Sequence, residues 1–214
     1  NPELKFPLIV KPNAEGSSKG ISKISVVNDA AELKMVVLNL WDMYKQPILV
    51  EEYIKGREFT VGVLGNGDDL NVLKPMEVEF LQKSDNSIYD YSVKQDYDDK
   101  VNYVCPAHLT HMEDAVMTNA ARDIFNILDC KDVARIDFRL SDDNELHFIE
   151  INPLPGLAPG YSDLPMLAES NGISYDELVR LILNNALKRY GMDLEKHKAD
   201  ESVQKVQAKK LVHF

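Results

Sequence analysis

The chain has 214 residues, 44% hydrophobic and 28% charged, which suits one or two buried cores and rules out a membrane protein or a low-complexity chain. Its formal net charge of −11, with Lys and Arg scattered among more numerous acids, excludes the basic stripe that a nucleic-acid backbone requires. No apolar run reaches the length of a transmembrane helix and no signal-peptide pattern opens the chain, so no membrane partner is expected and the default compartment is the cytoplasm.

The chain opens on Asn1-Pro2-Glu3 and enters a buried-strand pattern almost at once, at Phe6 to Val10. So abrupt a start predicts that it is cut from something longer. Leu8-Ile9-Val10 is a short apolar run ended by Pro12, and the polar stretch Asn13 to Gly20 reads as a loop. Asn28 or Asp29 then caps a helix whose buried face is Leu33, Val36, Val37, Leu40, Met43 and Tyr44. Ile48 to Tyr53 is a strand, Lys55-Gly56-Arg57 a turn, and Glu58 to Leu64 a second strand with alternating Phe59, Val61 and Val63. Asn66-Gly67 signals a hairpin that returns the chain into a strand from Asn71 to Phe80.

Residues 81–100 are polar, Asp-rich and aperiodic, a long loop of the kind that serves as a lid. His111 to Leu128 reads as a helix with Ala115, Val116, Ala120, Ile124, Ile127 and Leu128 on its apolar side. Val133 to Leu140 and Glu145 to Ile151 form a second hairpin around Ser141 to Asn144. Ser174 to Glu177 caps a helix through Leu178, Leu181, Ile182, Ala186 and Leu187 that stops at Gly191. Two hairpins without strict βαβ alternation favour an α+β fold over a doubly wound parallel sheet. Cys105 and Cys130 have no metal-ligand spacing and read as buried free thiols.

Three groups of residues carry possible chemistry. Lys11 and the loop Glu15-Gly16-Ser17-Ser18-Lys19-Gly20 offer an ammonium, N–H groups and hydroxyls to phosphate oxygens, although the spacing is not that of a P-loop and an ordinary surface loop has the same composition. Asp137 and Glu150 lie in neighbouring strands, with Asn152 on the same side as Glu150. This all-oxygen set suits Mg²⁺, usually bound together with phosphates; the alternative is two solvated acids on a sheet surface. Glu51 and Glu58 flank the turn at Gly56, where a carboxylate can accept from an adenine amino group or ribose hydroxyls, or simply face water.

Taken in order, Val10-Lys11-Pro12 with the 15–20 loop, Glu51 through Val61, Ala134-Arg135-Ile136-Asp137-Phe138, and Glu150-Ile151-Asn152-Pro153 with Pro155-Gly156 resemble the successive motifs of D-alanine–D-alanine ligases. Tyr89 to Lys94 and Cys105-Pro106-Ala107 do so as well, and the resemblance extends from Phe6 to about Tyr190. It implies an ATP-grasp fold, two α+β subdomains whose antiparallel sheets enclose the nucleotide: 1–54 as the small subdomain, 55–191 as the large one, and 192–214 as a polar tail with weak helical character.

The resemblance also implies roles. Lys11 and Lys94 contact ATP phosphates, and Glu15, Gly16, Ser17, Ser18 and Gly20 belong to the loop that covers them. Glu51 approaches the adenine amino group, Glu52, Tyr53, Ile54 and Ile149 line the base, and Glu58 holds the ribose. Asp137, Glu150 and Asn152 bind Mg²⁺, with Mn²⁺ as the alternative cation. Arg135, Lys94 and Ser162 serve the reacting groups, Ser162 by holding the substrate carboxylate. The implied reaction joins a carboxylate to an amine through an acyl phosphate. Amino-acid or short-peptide substrates and an N-terminal domain of the same enzyme are the implied partners, and a homodimer is compatible with the pattern.

Two departures leave the substrate open. Gln95 follows the lid lysine where the family ligases usually carry Tyr, and the run Leu157 to Ser162 is one residue longer than the family pattern. A ligase for other amino acids or peptides, or a nucleotide-binding fragment without turnover of its own, are the alternatives.

Overall fold

The computed structural model describes residues 4–15, 25–80 and 101–192. In chain order the elements are β1 (Leu8–Pro12), β2 (Val26–Val27), α1 (Ala30–Tyr44), β3 (Ile48–Glu52), β4 (Gly56–Leu64), β5 (Asn71–Val72), β6 (Met76–Phe80), β7 (Val101–Val104), α2 (His111–Ile127), β8 (Val133–Ser141), β9 (Leu146–Asn152), α3 (Asp163–Ser170) and α4 (Tyr175–Arg189). The expected α+β class holds, with a three-stranded sheet ordered β2-β1-β3 and a second sheet running β7-β6-β4-β8-β9, to which β5 adds by pairing with β4. The chain divides into two compact units: Asn1–Phe59 with Glu77–Val104 and Arg139–His147, and Thr60–Met76 with Cys105–Phe138 and Phe148–Phe214.

In the first unit β1 pairs antiparallel with β3, Lys11 opposite Leu49 and Ile9 opposite Glu51. Leu8 and Val10 project from one face of β1 and pack with Val27, Val36 and Leu40, and Leu33, Val37, Tyr44, Ile48 and Val50 close the cluster. Burying about ten such side chains is what holds a sheet this small. The cap of α1 is Asp29, whose carboxylate accepts from the N–H groups of Ala31 and Glu32. Met43, expected on the buried face, is exposed instead: at helical spacing Leu33, Val37, Leu40 and Tyr44 centre the buried stripe and Met43 falls at its edge.

The second unit builds its core from Val61 and Val63 of β4, Ala134, Ile136 and Phe138 of β8, and Met117, Ala121 and Phe125 of α2. The buried stripe of α2 therefore differs from the expected one: Val116, Ile127 and Leu128 are exposed. The helix carries two overlapping apolar stripes at helical spacing, and the sheet takes the one with the larger Met and Phe side chains. A capping box between Thr110 and Glu113 starts this helix. Gly62 allows α3 to pack close to β4, since a Cβ there would lie 2.9 to 3.1 Å from Leu73, Leu164 and Leu167 side-chain atoms.

The strand expected from Asn71 to Phe80 is broken into β5 and β6 at Leu73-Lys74-Pro75, where Pro75 has no N–H to give to a ladder. The hairpin at Asn66-Gly67 exists, with Val63 opposite Val72 and Leu64 opposite Asn71, but its connection is a 3₁₀ turn over Gly67–Asp69 rather than a two-residue loop. The β8–β9 turn runs through Asn144, at φ 62°, whose N–H donates to the Ser141 carbonyl at 2.9 Å. Cys105 and Cys130 are free thiols, half-buried rather than fully so, and burial pushes both above the usual thiol range.

Candidate functional site

The second unit brings together the residues expected to bind metal and transferring groups. β8 and β9 are hydrogen-bonded neighbours, so Asp137 on one and Glu150 and Asn152 on the other meet. The Asn152 carboxamide nitrogen donates to Glu150 Oε1 at 3.2 Å and lies 3.4 Å from Asp137 Oδ2. Arg135 donates through Nε and Nη2 to the two Asp137 oxygens at 3.0 and 2.8 Å, and its Nη2 is 4.0 Å from Glu150. Thr60 Oγ1 on β4 adds a 2.7 Å hydrogen bond to Asp137 Oδ1.

Arg135 is nearly buried and gripped on its other side by Asp163 of α3, 2.8 Å from Nη1. Burial alone would lower the affinity of this guanidinium for its proton. Asp137, by charge and by hydrogen bond, then Asp163 and Glu150 outweigh that, and its pKa is raised. Arg135 is a fixed cation.

Ser162, at the N-cap of α3, does not cap the helix with its side chain; its Oγ accepts from the Ala158 N–H at 3.1 Å. Gly156 makes room for it, as a Cβ there would stand 2.6 Å from Ser162 Oγ. Ile149 of β9 is exposed beside Phe148, which meets Phe138 edge to face at 6.4 Å.

In the first unit Lys11 Nζ pairs with Glu51 at 2.5 Å, so two side chains expected at opposite ends of a nucleotide are partners in this structure. Glu15 accepts from the Gln46 side chain at 2.9 Å, while Gln46 Oε1 takes the Ala14 N–H. Glu52 accepts from the Lys5 N–H at 2.8 Å. Tyr53, Ile54 and Glu58 are joined by one guanidinium, that of Arg139, which donates to Tyr53 OH and Ile54 O at 3.0 Å each and pairs with Glu58. Gly16, Ser17, Ser18 and Gly20, together with Lys94 and the rest of 81–100, lie outside the described residues.

Thr60, Asp163 and Arg139 belong to these clusters and were not singled out by sequence reasoning. For Arg139 a signal existed: Arg135, Asp137 and Arg139 alternate with Ile136, Phe138 and Leu140, and a period of two that selects the first two polar residues selects the third. Asp163 had none, since nothing in the sequence ties the start of α3 to β8. Among the described residues no three His, Cys, Asp or Glu side chains cluster as a metal site; the set at Asp137 is two carboxylates and a carboxamide.

This α+β architecture is the ATP-grasp fold. Among solved structures it is similar to the VanG D-Ala:D-Ser ligase of Enterococcus faecalis, with a TM-score of 0.69 and 26% identity over 86% of this chain and 50% of that one. It is also similar to the D-alanine–D-alanine ligase of Bacillus anthracis complexed with ATP, with a TM-score of 0.66 and 25% identity over 86% and 54% of the two chains. Residues 1–184 match the family described as D-ala D-ala ligase C-terminus, and the chain belongs to that family.

In sequence it is 36% identical to the D-alanine–D-alanine ligase of Buchnera aphidicola subsp. Schizaphis graminum, over 85% of this chain and 55% of the relative. It is 34% identical to that of Geobacillus kaustophilus, over 88% and 48%. The chain thus spans about half the length of the curated relatives it matches. No described helix is long and apolar enough to cross a membrane.

Proposed function

We propose that this chain is the ATP- and Mg²⁺-binding part of a carboxylate–amine ligase that forms an amide through an acyl phosphate. The observation that carries the reading is the meeting of Asp137, Glu150 and Asn152 with the buried cation Arg135 on adjacent strands. Membership of the ligase family and the ATP complex of the Bacillus anthracis neighbour support it.

The donor set fits a hard divalent cation: the two carboxylates offer oxygen ligands and already attract positive charge from Arg135 and an N–H from Asn152, whose carboxamide would offer its oxygen by turning over. Mg²⁺ or Mn²⁺ held by these three residues would neutralise phosphate charge when bound. Arg135, unable to lose its proton and fixed by Asp137 and Asp163, presents a preorganised cation to the oxygens that gain charge during phosphoryl and acyl transfer. Ser162 would fix the substrate carboxylate. In the first unit Lys11 would turn from Glu51 to phosphate oxygens, releasing Glu51 for the adenine amino group; Glu15, Gly16, Ser17, Ser18, Gly20 and Lys94 would complete the phosphate contacts. Glu52, Tyr53, Ile54 and Ile149 would line the base and Glu58 would take the ribose. Amino acids or short peptides are the substrate class, and the cytoplasm, where ATP is available, is the compartment.

A ligase for an amino acid other than D-alanine is the second reading, favoured by Gln95 after the lid lysine and by the longer run from Leu157 to Ser162. Titrating the chain with ATP and Mg²⁺ tests the nucleotide reading. Phosphate release over a panel of D- and L-amino acids, on the chain and on the gene product that carries it, tests the chemistry. ATP binding with release driven by D-alanine alone supports the first reading, and release driven by other amino acids alone the second. Binding with no release by either protein marks a nucleotide-binding module, and no binding overturns all three.

A further inference from the structure

Arg139 is 6% exposed, and its guanidinium makes three polar contacts with a single short stretch of chain. Nη1 donates to Tyr53 OH and to Ile54 O, both at 3.0 Å; Nη2 pairs with Glu58; and the guanidinium carbon lies 5.3 Å from the Tyr53 ring centroid. Burial works against the charge, and the Glu58 carboxylate and Tyr53 more than restore it, raising the pKa. The stretch it grips turns at Gly56, with φ at 144° and so close to β8 that a Cβ would stand 2.0 Å from the Leu140 carbonyl oxygen. Residues 53, 54 and 58, on both sides of that turn, are held as one piece.

A buried ion pair is an expensive way to hold two strands together, since apolar residues of similar volume commonly do it as well or better. What a guanidinium adds is direction: its planar fork fixes the acceptors it meets. A glutamate side chain has three torsions, and a carboxylate meant for two ribose hydroxyls must be aimed, because it has only acceptor atoms to offer. We infer that Arg139 is the positioning residue for the adenosine end of this site, aiming Glu58 at the ribose and setting the Tyr53–Ile54 backbone against the base. The inference rests on the nucleotide reading above.

The test is calorimetric titration of the chain with ATP and with 2′,3′-dideoxy-ATP, each with Mg²⁺, for the wild type, Arg139→Met and Arg139→Lys. A wild type that reads the ribose binds ATP on the order of tenfold more tightly than the dideoxy nucleotide, the amount a hydrogen bond to a charged group contributes. Arg139→Met is expected to weaken ATP and bring the two nucleotides within about twofold, because loss of aim removes the ribose contact and leaves the phosphate contacts in place. Arg139→Lys, which keeps charge without the fork, is expected to fall between them. A role in stability alone would weaken both nucleotides equally.

Either variant retaining the wild-type ratio overturns the inference, and Arg139→Lys carries the test by itself if the Met variant does not fold. A wild type that binds both nucleotides equally overturns it too. A wild type that binds neither overturns the nucleotide reading itself, so the two failures are distinguishable.

Discussion

Arg135 Nη1 stands 2.8 Å from the Asp163 carboxylate, and the two side chains, 11% and 12% exposed, form an ion pair between β8 and the first turn of α3. Arg135 keeps Asp137 when this partner is removed, so Asp163→Asn does not strand a bare buried charge. The expected loss of stability is about 1–2 kcal/mol, below the cost of orphaning a buried ion. Urea unfolding measures it, and a midpoint identical to wild type contradicts the idea that Asp163 anchors the guanidinium. On the proposed ligase reading the variant also frees one side of Arg135, so the Michaelis constant of the gene product for a carboxylate substrate is expected to change more than that for ATP.

The two acids of the proposed cation set separate structure from function. Asp137 accepts from Thr60 and Arg135, whereas the Glu150 side chain is 52% exposed. Asp137→Ala is therefore expected to lose Mg²⁺-dependent ATP binding and also about 1–3 kcal/mol of stability, because buried donors lose their acceptor. Glu150→Ala is expected to lose the Mg²⁺ dependence with stability within about 0.5 kcal/mol of wild type. Calorimetric titration with and without Mg²⁺, beside thermal unfolding, checks both. Full Mg²⁺ dependence in Glu150→Ala ends the metal assignment.

The strands carrying Lys11, Glu51, Asp137 and Glu150 were legible because each is a short apolar run bounded by turn residues, and polar residues inside such runs mark themselves. The buried face of α2 was not, because helical spacing defines stripes without saying which one a sheet will cover; Val116 and Met117 are equally apolar neighbours and only Met117 is buried. The helix α3 escaped for a related reason. It is eight residues long with Pro165 near its start, where a missing N–H costs nothing but the local pattern looks broken. The partners Asp163 and Thr60 were invisible because ion pairs and hydrogen bonds between elements have no period in sequence.

Asp132, at φ 69°, ties the connection before β8 to α4 and to the β4–β5 hairpin. Arg189 donates to both of its oxygens, at 3.2 and 2.7 Å, and Asn66 exchanges two hydrogen bonds with it. The Arg189 hydrogen bonds hold its carboxyl below the ordinary value of 3.8, against the opposing effect of burial, with help from Asn66 and from the charges of Arg189 and Lys131. A folded pKa below the unfolded one means stability that is present in full above about pH 4 and is lost as pH falls through the lower, folded value. Urea midpoints measured from pH 7 to pH 2 should therefore fall at the acid end, and the acid decline should be shallower in Asp132→Asn, which starts from a lower plateau. Parallel declines in the two proteins would show that other carboxylates set the acid limb.

Gly156 and Ser162 provide a test of the register after Pro155, which the longer 157–162 run left open. A methyl group at position 156 would stand 2.6 Å from Ser162 Oγ, closer than such atoms approach, so in Gly156→Ala the hydroxyl must rotate away and give up the Ala158 N–H it now accepts. ATP binding should survive, because the residues proposed for the nucleotide do not include position 156. If Ser162 holds the substrate carboxylate, the Michaelis constant of the gene product for that substrate should rise on the order of tenfold in Gly156→Ala, the cost of losing a hydrogen bond to a charged group. Ser162→Ala should do the same by deleting the hydroxyl, and the double variant should be no worse than either single one, since both remove one interaction. Steady-state kinetics on the three variants measures this coupling. Additive losses would mean that the methyl group and the hydroxyl act at separate places, and that the carboxylate is held by a residue other than Ser162.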